Sequence, residues 1–313
     1  MSTSPNPKHR PRRTFRVLAG AAALAALVAG CGIDDAPADT AAAPTTTSGV
    51  SLPVTPVTVE LVDAGAEPRS ALAPDLAGTQ EVSLTTRSSV TQQIDDQPVQ
   101  DFSTPEITLP LSAQAPADDE DREVNLRVGV ATSGDQRMTE SLVAAEGSEA
   151  GLTMTADGAI TALRITPAEQ AQDSARAAIE QALNQAVYRS ISFPEGDVGV
   201  GAVWTVKQQV ISGLTLNQTT TATLRARDGD RVTVDVRIEQ TPESTTLELP
   251  DDAGRLDIDT YTMTGSGTLE MDLTKPLPVS GEVIVGGTQQ YSDPQSTTVL
   301  RQDAGDSLRW TTP

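Results

Sequence analysis

From Leu52 onward, apolar side chains recur at every second position. Val57, Val59 and Leu61 alternate with polar residues. So do Val82 and Leu84, followed later by Val90, then Ile107, Leu109 and Leu111, and Val124, Leu126, Val128 and Val130. A period of two with Thr, Ser and charges between is the pattern of half-buried antiparallel strands. About ten or more such strands are predicted on this pattern. Beyond residue 200 they run Trp204–Ile211, Thr215–Arg225, Arg231–Gln240, Leu256–Met263, Gly267–Leu273, Glu282–Gln289 and Leu308–Thr311.

Two hairpins can be registered from the same pattern. Asp157-Gly158 fits a two-residue turn with both residues at positive φ, which sets Leu152 opposite Leu163 and Met154 opposite Thr161. A two-residue Asp228-Gly229 turn would pair Val232 with Arg225 and scramble the faces. A three-residue loop, Arg227-Asp228-Gly229 with Gly229 left-handed, instead pairs Leu224 with Val232 and Ala222 with Val234.

One segment, 167–190, breaks the two-residue rhythm. Thr166-Pro167-Ala168-Glu169 reads as a capping box with proline at the first helical position. Ala168, Ala171, Ala175, Ala178, Ile179, Ala182, Leu183, Ala186 and Val187 then form one stripe at helical spacing. Gln170, Asp173, Arg176, Glu180 and Asn184 take the other face. An alanine-dominated stripe lets a sheet approach closely, so a core helix is expected rather than a lid. The fold class that follows is mainly β with one long α-helix. A curved antiparallel sheet packs on a single central helix, as a half-barrel, in one domain over residues 52–313.

The N-terminus follows a different pattern. Residues 1–16 carry Lys8, Arg10, Arg12, Arg13 and Arg16 and no acid, and Val17–Gly30 is apolar. That run is shorter than the roughly 20 residues a bilayer span needs. A basic region, a short apolar run and small residues at its end make a secretory signal over residues 1–30. Leu27-Val28-Ala29-Gly30-Cys31 resembles the lipobox of bacterial lipoproteins. The resemblance implies a diacylglyceryl group on Cys31 and cleavage that leaves Cys31 as the new N-terminus. Arg12-Arg13-Thr14-Phe15 resembles a twin-arginine export motif. The same arginines would also serve as ordinary signal charges, so the export route stays open. Residues 31–51, rich in Ala, Thr, Pro and Asp, read as the lipidated end and a flexible tether. The protein is expected on the extracytoplasmic face of the cell membrane, held there by its N-terminal lipid.

Composition narrows the chemistry. The 313-residue chain has a formal charge of −21. Removing residues 1–30 takes 5 of the 22 basic residues and none of the 43 acidic ones, leaving a charge of −26. It also removes His9, the only histidine, while Cys31 is the only cysteine. Histidine-dependent triads cannot be built in the remainder, nor can the usual zinc and copper sites or an internal disulfide. A paired-carboxylate glycosidase is still conceivable. The scarcity of aromatic platforms disfavours it: Phe102, Phe193, Tyr188, Tyr261, Tyr291, Trp204 and Trp310 are all that remain. The negative charge argues against nucleic acid as a partner. The acidic runs 118–123 and 251–259 lack the ligand spacing of a calcium loop. No catalytic residue, metal or cofactor is predicted.

FPEGDVGVGAVW, residues 193–204, looks at first like half a phosphate-binding fingerprint. Such a fingerprint needs strand, glycines, then helix, so that the phosphate meets a helix N-terminus. Here the order is helix, glycines, strand. Pro194, Gly199 and Gly201 are therefore expected to turn the chain out of the helix, and Trp204 to seat its ring at the start of the next strand.

The segments VELVDAGAEPRSAL (59–72), FPEGDVGVGAVWTV (193–206) and GTLEMDLTKPLPVSG (267–281), with the DG hairpin and the single helix, give the chain a recognisable signature. It is similar to a family of uncharacterised lipoproteins of actinobacteria and related bacteria, a domain of unknown function. That resemblance implies domain extent and location but no activity. Anchor, tether and curved sheet also resemble LolA-like and LppX-like envelope lipoproteins, which carry lipids. This looser likeness implies a concave face lined by Val124, Leu126, Val128, Leu224, Val232 and Val234, residues that would otherwise form an ordinary core. Two functions are therefore expected in competition. One is a non-enzymatic module that binds an envelope protein or wall component. The other is a carrier of a lipid or other apolar molecule between sheet and helix. A carboxylate-dependent hydrolase is more remote. Whether the sheet–helix interface is filled or hollow separates the first two.

Overall fold

The alternating runs do form one large antiparallel sheet. The computed structural model describes residues 50–115, 122–249 and 254–313. Arg12, Arg13, the lipobox Leu27–Gly30, Cys31 and most of the tether lie outside these residues. So do 118–121 and 251–253 of the two acidic runs. Eighteen strands and two helices are present among the described residues. The strands are β1 (Val50–Pro53), β2 (Thr58–Asp63), β3 (Ser70–Ala71), β4 (Gly78–Ile94), β5 (Gln100–Asp101) and β6 (Thr104–Ala115). They continue with β7 (Glu123–Val128), β8 (Thr132–Ser133), β9 (Glu149–Met154), β10 (Ile160–Thr166), β11 (Asp197–Val198) and β12 (Val203–Ser212). The last are β13 (Leu214–Asp228), β14 (Arg231–Pro242), β15 (Thr246–Glu248), β16 (Arg255–Asp272), β17 (Ser280–Ser292) and β18 (Val299–Thr311). The helices are α1 (Gln136–Val143) and α2 (Asp173–Tyr188).

Sixteen strands share one sheet, whose main path is β1-β10-β9-β7-β6-β4-β18-β17-β16-β14-β13-β12-β2. Laid flat, this path of thirteen strands at ~4.8 Å spacing would be roughly 58 Å wide. Yet its two end strands are joined by residues 54–57 alone, a link that reaches at most about 18 Å. The sheet must therefore curl until its edges approach. The Val54 N–H bonds the Thr161 carbonyl of β10 at 3.0 Å. The neighbouring Thr55 hydroxyl bonds the Gln209 carbonyl of β12. The sheet does not close, because its end strands β1 and β2 do not pair.

Two expected strands, Leu256–Met263 and Gly267–Leu273, are one continuous strand, β16. The intervening Gly265 and Gly267 mark close approach rather than a turn. A Cβ at Gly267 would lie 2.2 Å from the Glu282 carbonyl oxygen of β17, and one at Gly287 would lie 1.4 Å from that of Thr262. Glycine in a strand commonly marks such a contact between backbones.

Both hairpins keep the expected faces but not the expected turns. Leu152 does face Leu163, but Met154 pairs with Ile160 because Thr161 is bulged out. Of the DG pair only Gly158 has positive φ, +82°. The Thr155 N–H reaches the Ala159 carbonyl at 2.8 Å across a three-residue loop, and Asp157 accepts from the Thr155 hydroxyl. In the second hairpin Asp228 pairs with Arg231 across a two-residue Gly229-Asp230 turn, and Leu224 pairs with Val234, not Val232. Ala222 correspondingly faces Val236. A bulge at Arg225 corrects the parity that the three-residue loop was expected to correct.

The helix content also differs from expectation. There are two helices rather than one: α1, capped by Asp135, buries only Leu142 and so carries no periodic stripe. The long helix α2 spans Asp173–Tyr188 rather than 167–190. Thr166 is committed to the sheet, paired with Glu149, and the Ala168 N–H is bonded by the Ser148 hydroxyl at 3.0 Å. The expected capping groups are thus engaged elsewhere, and Gln172 stands at the N-cap without a side-chain cap bond, its amide oxygen accepting instead from the Ser141 hydroxyl at 3.0 Å. The stripe itself is correct. Ala175, Ile179, Ala182, Leu183 and Val187 are buried and join one core with the inward residues of the sheet. Val124, Leu126, Val128, Leu224, Val232 and Val234 all belong to that core.

Candidate functional site

The carbonyls at the C-terminal end of a helix lack intrahelical N–H partners. The sheet supplies donors in their place. Gln208 and Gln218, opposite each other on β12 and β13, bond the Tyr188 carbonyl through their amide nitrogens at 3.3 and 2.9 Å. Gln240 on β14 donates to the Gln218 amide oxygen at 2.8 Å. Arg189, the C-cap residue, donates to the same oxygen at 2.8 Å. Burial pushes the Arg189 guanidinium below its ordinary value, partly opposed by the charges of Asp306 and Tyr261.

Asp306 stands on β18 nearby. It accepts from the Ser88 hydroxyl of β4 at 2.6 Å and from the Gln185 amide at 3.5 Å. Burial raises its carboxyl above the usual carboxylate range, against the lowering effects of Ser88 and Arg189. Burial likewise raises Tyr261, and it pushes Tyr291 up to about 12. The Tyr291 hydroxyl donates to the Gln289 amide oxygen at 2.6 Å.

Beside Arg189 lies an apolar pocket of about 80 Å³. Leu126, Leu152, Met154 and Ile160 form one wall, and Leu183, Val187 and Phe193 another. Met271, Leu273, Leu277 and Trp310 complete it, with Lys275, Pro276 and Pro278 on the connector after β16. Gln80 fastens that connector: its amide oxygen accepts from the Leu277 N–H and its amide nitrogen donates to the Leu277 carbonyl, both at 3.0 Å. Ligand pockets for drug-sized molecules measure roughly 300–1,000 Å³. The sheet–helix interface is thus mostly filled. Of the six aliphatics expected to line a concave cavity, only Leu126 reaches the pocket. A larger hollow of about 260 Å³ is polar. It is lined by Gln92, Gln93, Gln289, Gln290, Arg301, Gln302 and Asp303.

The glycine loop turns the corner expected of it and also does more. Gly199 and Pro194 are buried, Gly201 has φ +87°, and Trp204 is fully buried. The Trp204 indole N–H donates to the Ser192 carbonyl at 2.9 Å, with its ring 6.4 Å from that of Phe193. Residues 196–202 interlock with 63–71. The Gly199 N–H bonds the Ala64 carbonyl and the Ala66 N–H bonds the Val200 carbonyl, both at 2.9 Å. β11 pairs with β3, and Arg227 bonds the Ser70 and Ala71 carbonyls at 2.9 and 3.0 Å. Two of the signature segments thus hold each other. Of the four loop residues none lines the pocket; the neighbouring Phe193 does.

Sequence reasoning missed Arg189, Asp306 and the glutamines. The signal was present as a breach of the alternation. Gln302 and Asp306 share parity with Leu300, Ala304, Leu308 and Trp310, and Gln218 shares parity with Leu216 and Ala222. Among the described residues, no group of three or more His, Cys, Asp or Glu is arranged to hold a metal ion, and no helix is long and apolar enough to cross a membrane.

No family model matches the chain, and no curated protein sequence matches it. Among solved structures, the binding domain of botulinum neurotoxin DC in complex with rat synaptotagmin II aligns over 85% of this chain and 94% of that one. The identity is 8% and the TM-score 0.11, a likeness that carries no argument about fold or function.

Proposed function

We propose that this protein is an exported lipoprotein, anchored through Cys31 on the extracytoplasmic face of the cell membrane, and a non-enzymatic binding module for an envelope partner. The observation that carries the anchoring is the N-terminal order: a basic stretch, the apolar run Val17–Gly30, then the chain's only cysteine behind Leu27-Val28-Ala29-Gly30. Two acyl chains on that cysteine would hold the protein stably. Residues 32–49 would set the folded body clear of the headgroups, since Val50 and Ser51, expected in the tether, belong to β1. The curled sheet around α2 is read as a half-barrel, and its filled interface supports a binding module over a bulk lipid carrier. The likeness to uncharacterised actinobacterial lipoproteins that segments 59–72, 193–206 and 267–281 suggest would imply the same location.

A carrier of small apolar molecules is the second reading, favoured by the apolar pocket beside Arg189. An acyl lipid would require the connector Lys275–Pro278 to move aside. Fractionation of cells expressing the Cys31→Ser chain tests the anchor. The variant should be unprocessed or leave the membrane fraction, and a membrane-bound, lipid-labelled product would refute the proposal. Native mass spectrometry of the chain purified from its host separates the two readings. A consistently bound lipid mass would favour the carrier over the binding module.

A further inference from the structure

We propose that one end of the curled sheet opens as a unit, parting from the main core along an internal row of glutamines. The inference goes beyond both readings above and does not depend on the anchor.

The buried apolar residues form two clusters, not one. Leu84, Val285, Ala304 and Leu308 belong to the main core. A second cluster joins Leu247 of β15, Tyr291 of β17 and Leu300 of β18, flanked by Ile94, Leu256 and Ile258. A polar row runs between them. Gln92 pairs with Gln302, Gln302 with Gln289, and Gln289 with Tyr261, so the row crosses β4, β18, β17 and β16. Directly opposed residues on paired strands share one face of a sheet. Along β18 the buried positions run Leu300, Gln302, Ala304, so Gln302 divides the second cluster from the main core. Gln289 divides Tyr291 from Val285 on β17 in the same way.

The row is poorly suited to hold the two clusters together. Gln92, Gln289 and Gln302 are all buried. The Gln289 amide oxygen is answered by the Tyr291 hydroxyl. The amide nitrogens of Gln92 and Gln302 have no hydrogen-bond partner in the protein. A buried donor left unpaired costs free energy, and water that reaches it supplies the missing bond. The row therefore gains from water, whereas the clusters on either side gain from excluding it. Continuous apolar burial makes neighbouring elements open together, and here that continuity is broken. The second cluster is also lightly fastened. Leu247 is the one buried residue of β15, and β15 pairs with β16 alone. Loss of the Leu247 contact would free β15 and bare the glutamine amides while the main core stays intact.

Native-state hydrogen exchange, read at single amides of the chain purified from its host over low urea concentrations, tests the opening. Ile258, Tyr291 and Leu300 should share one opening equilibrium and one urea slope, with protection at least about tenfold below that of Leu84 and Leu308. Simple fraying would give unequal protection without a urea slope. Ile179→Val, which loosens the main core, should speed Leu84 and Leu308 severalfold and leave the other three amides unchanged. Gln92→Leu combined with Gln302→Leu makes the row apolar and should slow Ile258, Tyr291 and Leu300 together by about tenfold. If that pair does not fold, Leu247→Ala replaces it and should speed the three together by about tenfold or more. Exchange of the three only with global unfolding, unequal exchange without a common slope, or no response to the variant that folds would overturn the proposal.

Discussion

Gly199 lies with its Cα against the carbonyl of Ala66, so closely that a methyl group at residue 199 would sit 1.7 Å from that oxygen. This contact locks the loop after α2 onto the loop after β2. Both partners are backbone, so neither can yield as a flexible side chain would. Gly199→Ala should therefore destabilise the protein by about 3 kcal/mol or more. Gly196 has φ +92° and open space around it, so Gly196→Ala should cost about 1–2 kcal/mol from the left-handed backbone alone. Urea unfolding of both variants checks the ranking, and equal losses would contradict it.

Trp204 combines ring burial with a hydrogen bond to the Ser192 carbonyl. Trp204→Phe keeps an aromatic ring and removes the donor. The orphaned carbonyl alone should cost about 1–3 kcal/mol, with a further loss from the smaller ring. The variant should also lose the more blue-shifted part of the native fluorescence. A stability unchanged in chemical denaturation would mean that the bond contributes nothing.

The start of α2 offers a gain rather than a loss. Gln172 is exposed at the N-cap and its side chain leaves the helix amides unbonded. Gln172→Asp should stabilise by about 0.5–1 kcal/mol through a cap bond and the helix dipole. Glu169→Ala should change stability by less than about 0.5 kcal/mol, because the expected capping box does not form. A larger loss at Glu169 would return the helix start to Pro167.

Buried titratable groups set the pH response. The folded-state value of Asp306 is raised above its ordinary 3.8, so the folded form binds the proton more tightly than the unfolded chain does. Its contribution favours folding below that ordinary value and is lost as the pH rises through the folded value. Asp306→Asn should thus be more stable than the parent at neutral pH, and the advantage should shrink as the pH falls toward 4. At the alkaline end Tyr261 and Tyr291 are both raised, the latter to about 12. Stability should fall as the pH climbs above the ordinary tyrosine value of 10.0. Absorbance at about 295 nm should show these two tyrosines ionising with unfolding; an independent, earlier ionisation would show that they are not shielded.

The contrast between the two hairpins shows what alternation can and cannot specify. Parity required one extra residue near Asp228-Gly229, and one is present. It sits at Arg225 within β13, not in the turn, because a bulge and a longer turn restore facing equally well. Gly265 and Gly267 read locally as a break for the same kind of reason. Only the partner strand β17, whose backbone needs the space, reveals them as mid-strand residues. The capping box failed because Thr166 and Ala168 found partners distant in sequence.

The candidate site was barely legible. Nothing next to Arg189 in the chain marks it, since Gln218, which accepts its hydrogen bond, and Asp306, whose charge acts on it, stand on two separate strands. Alternation and the alanine stripe determined by themselves that the body is antiparallel β with α2 in its core, because burial of one face imposes a period on local sequence. Strand order, the curl and the inward-facing charge were decided only by tertiary structure. They depend on which edges meet and which polar groups are left for one another once water is excluded.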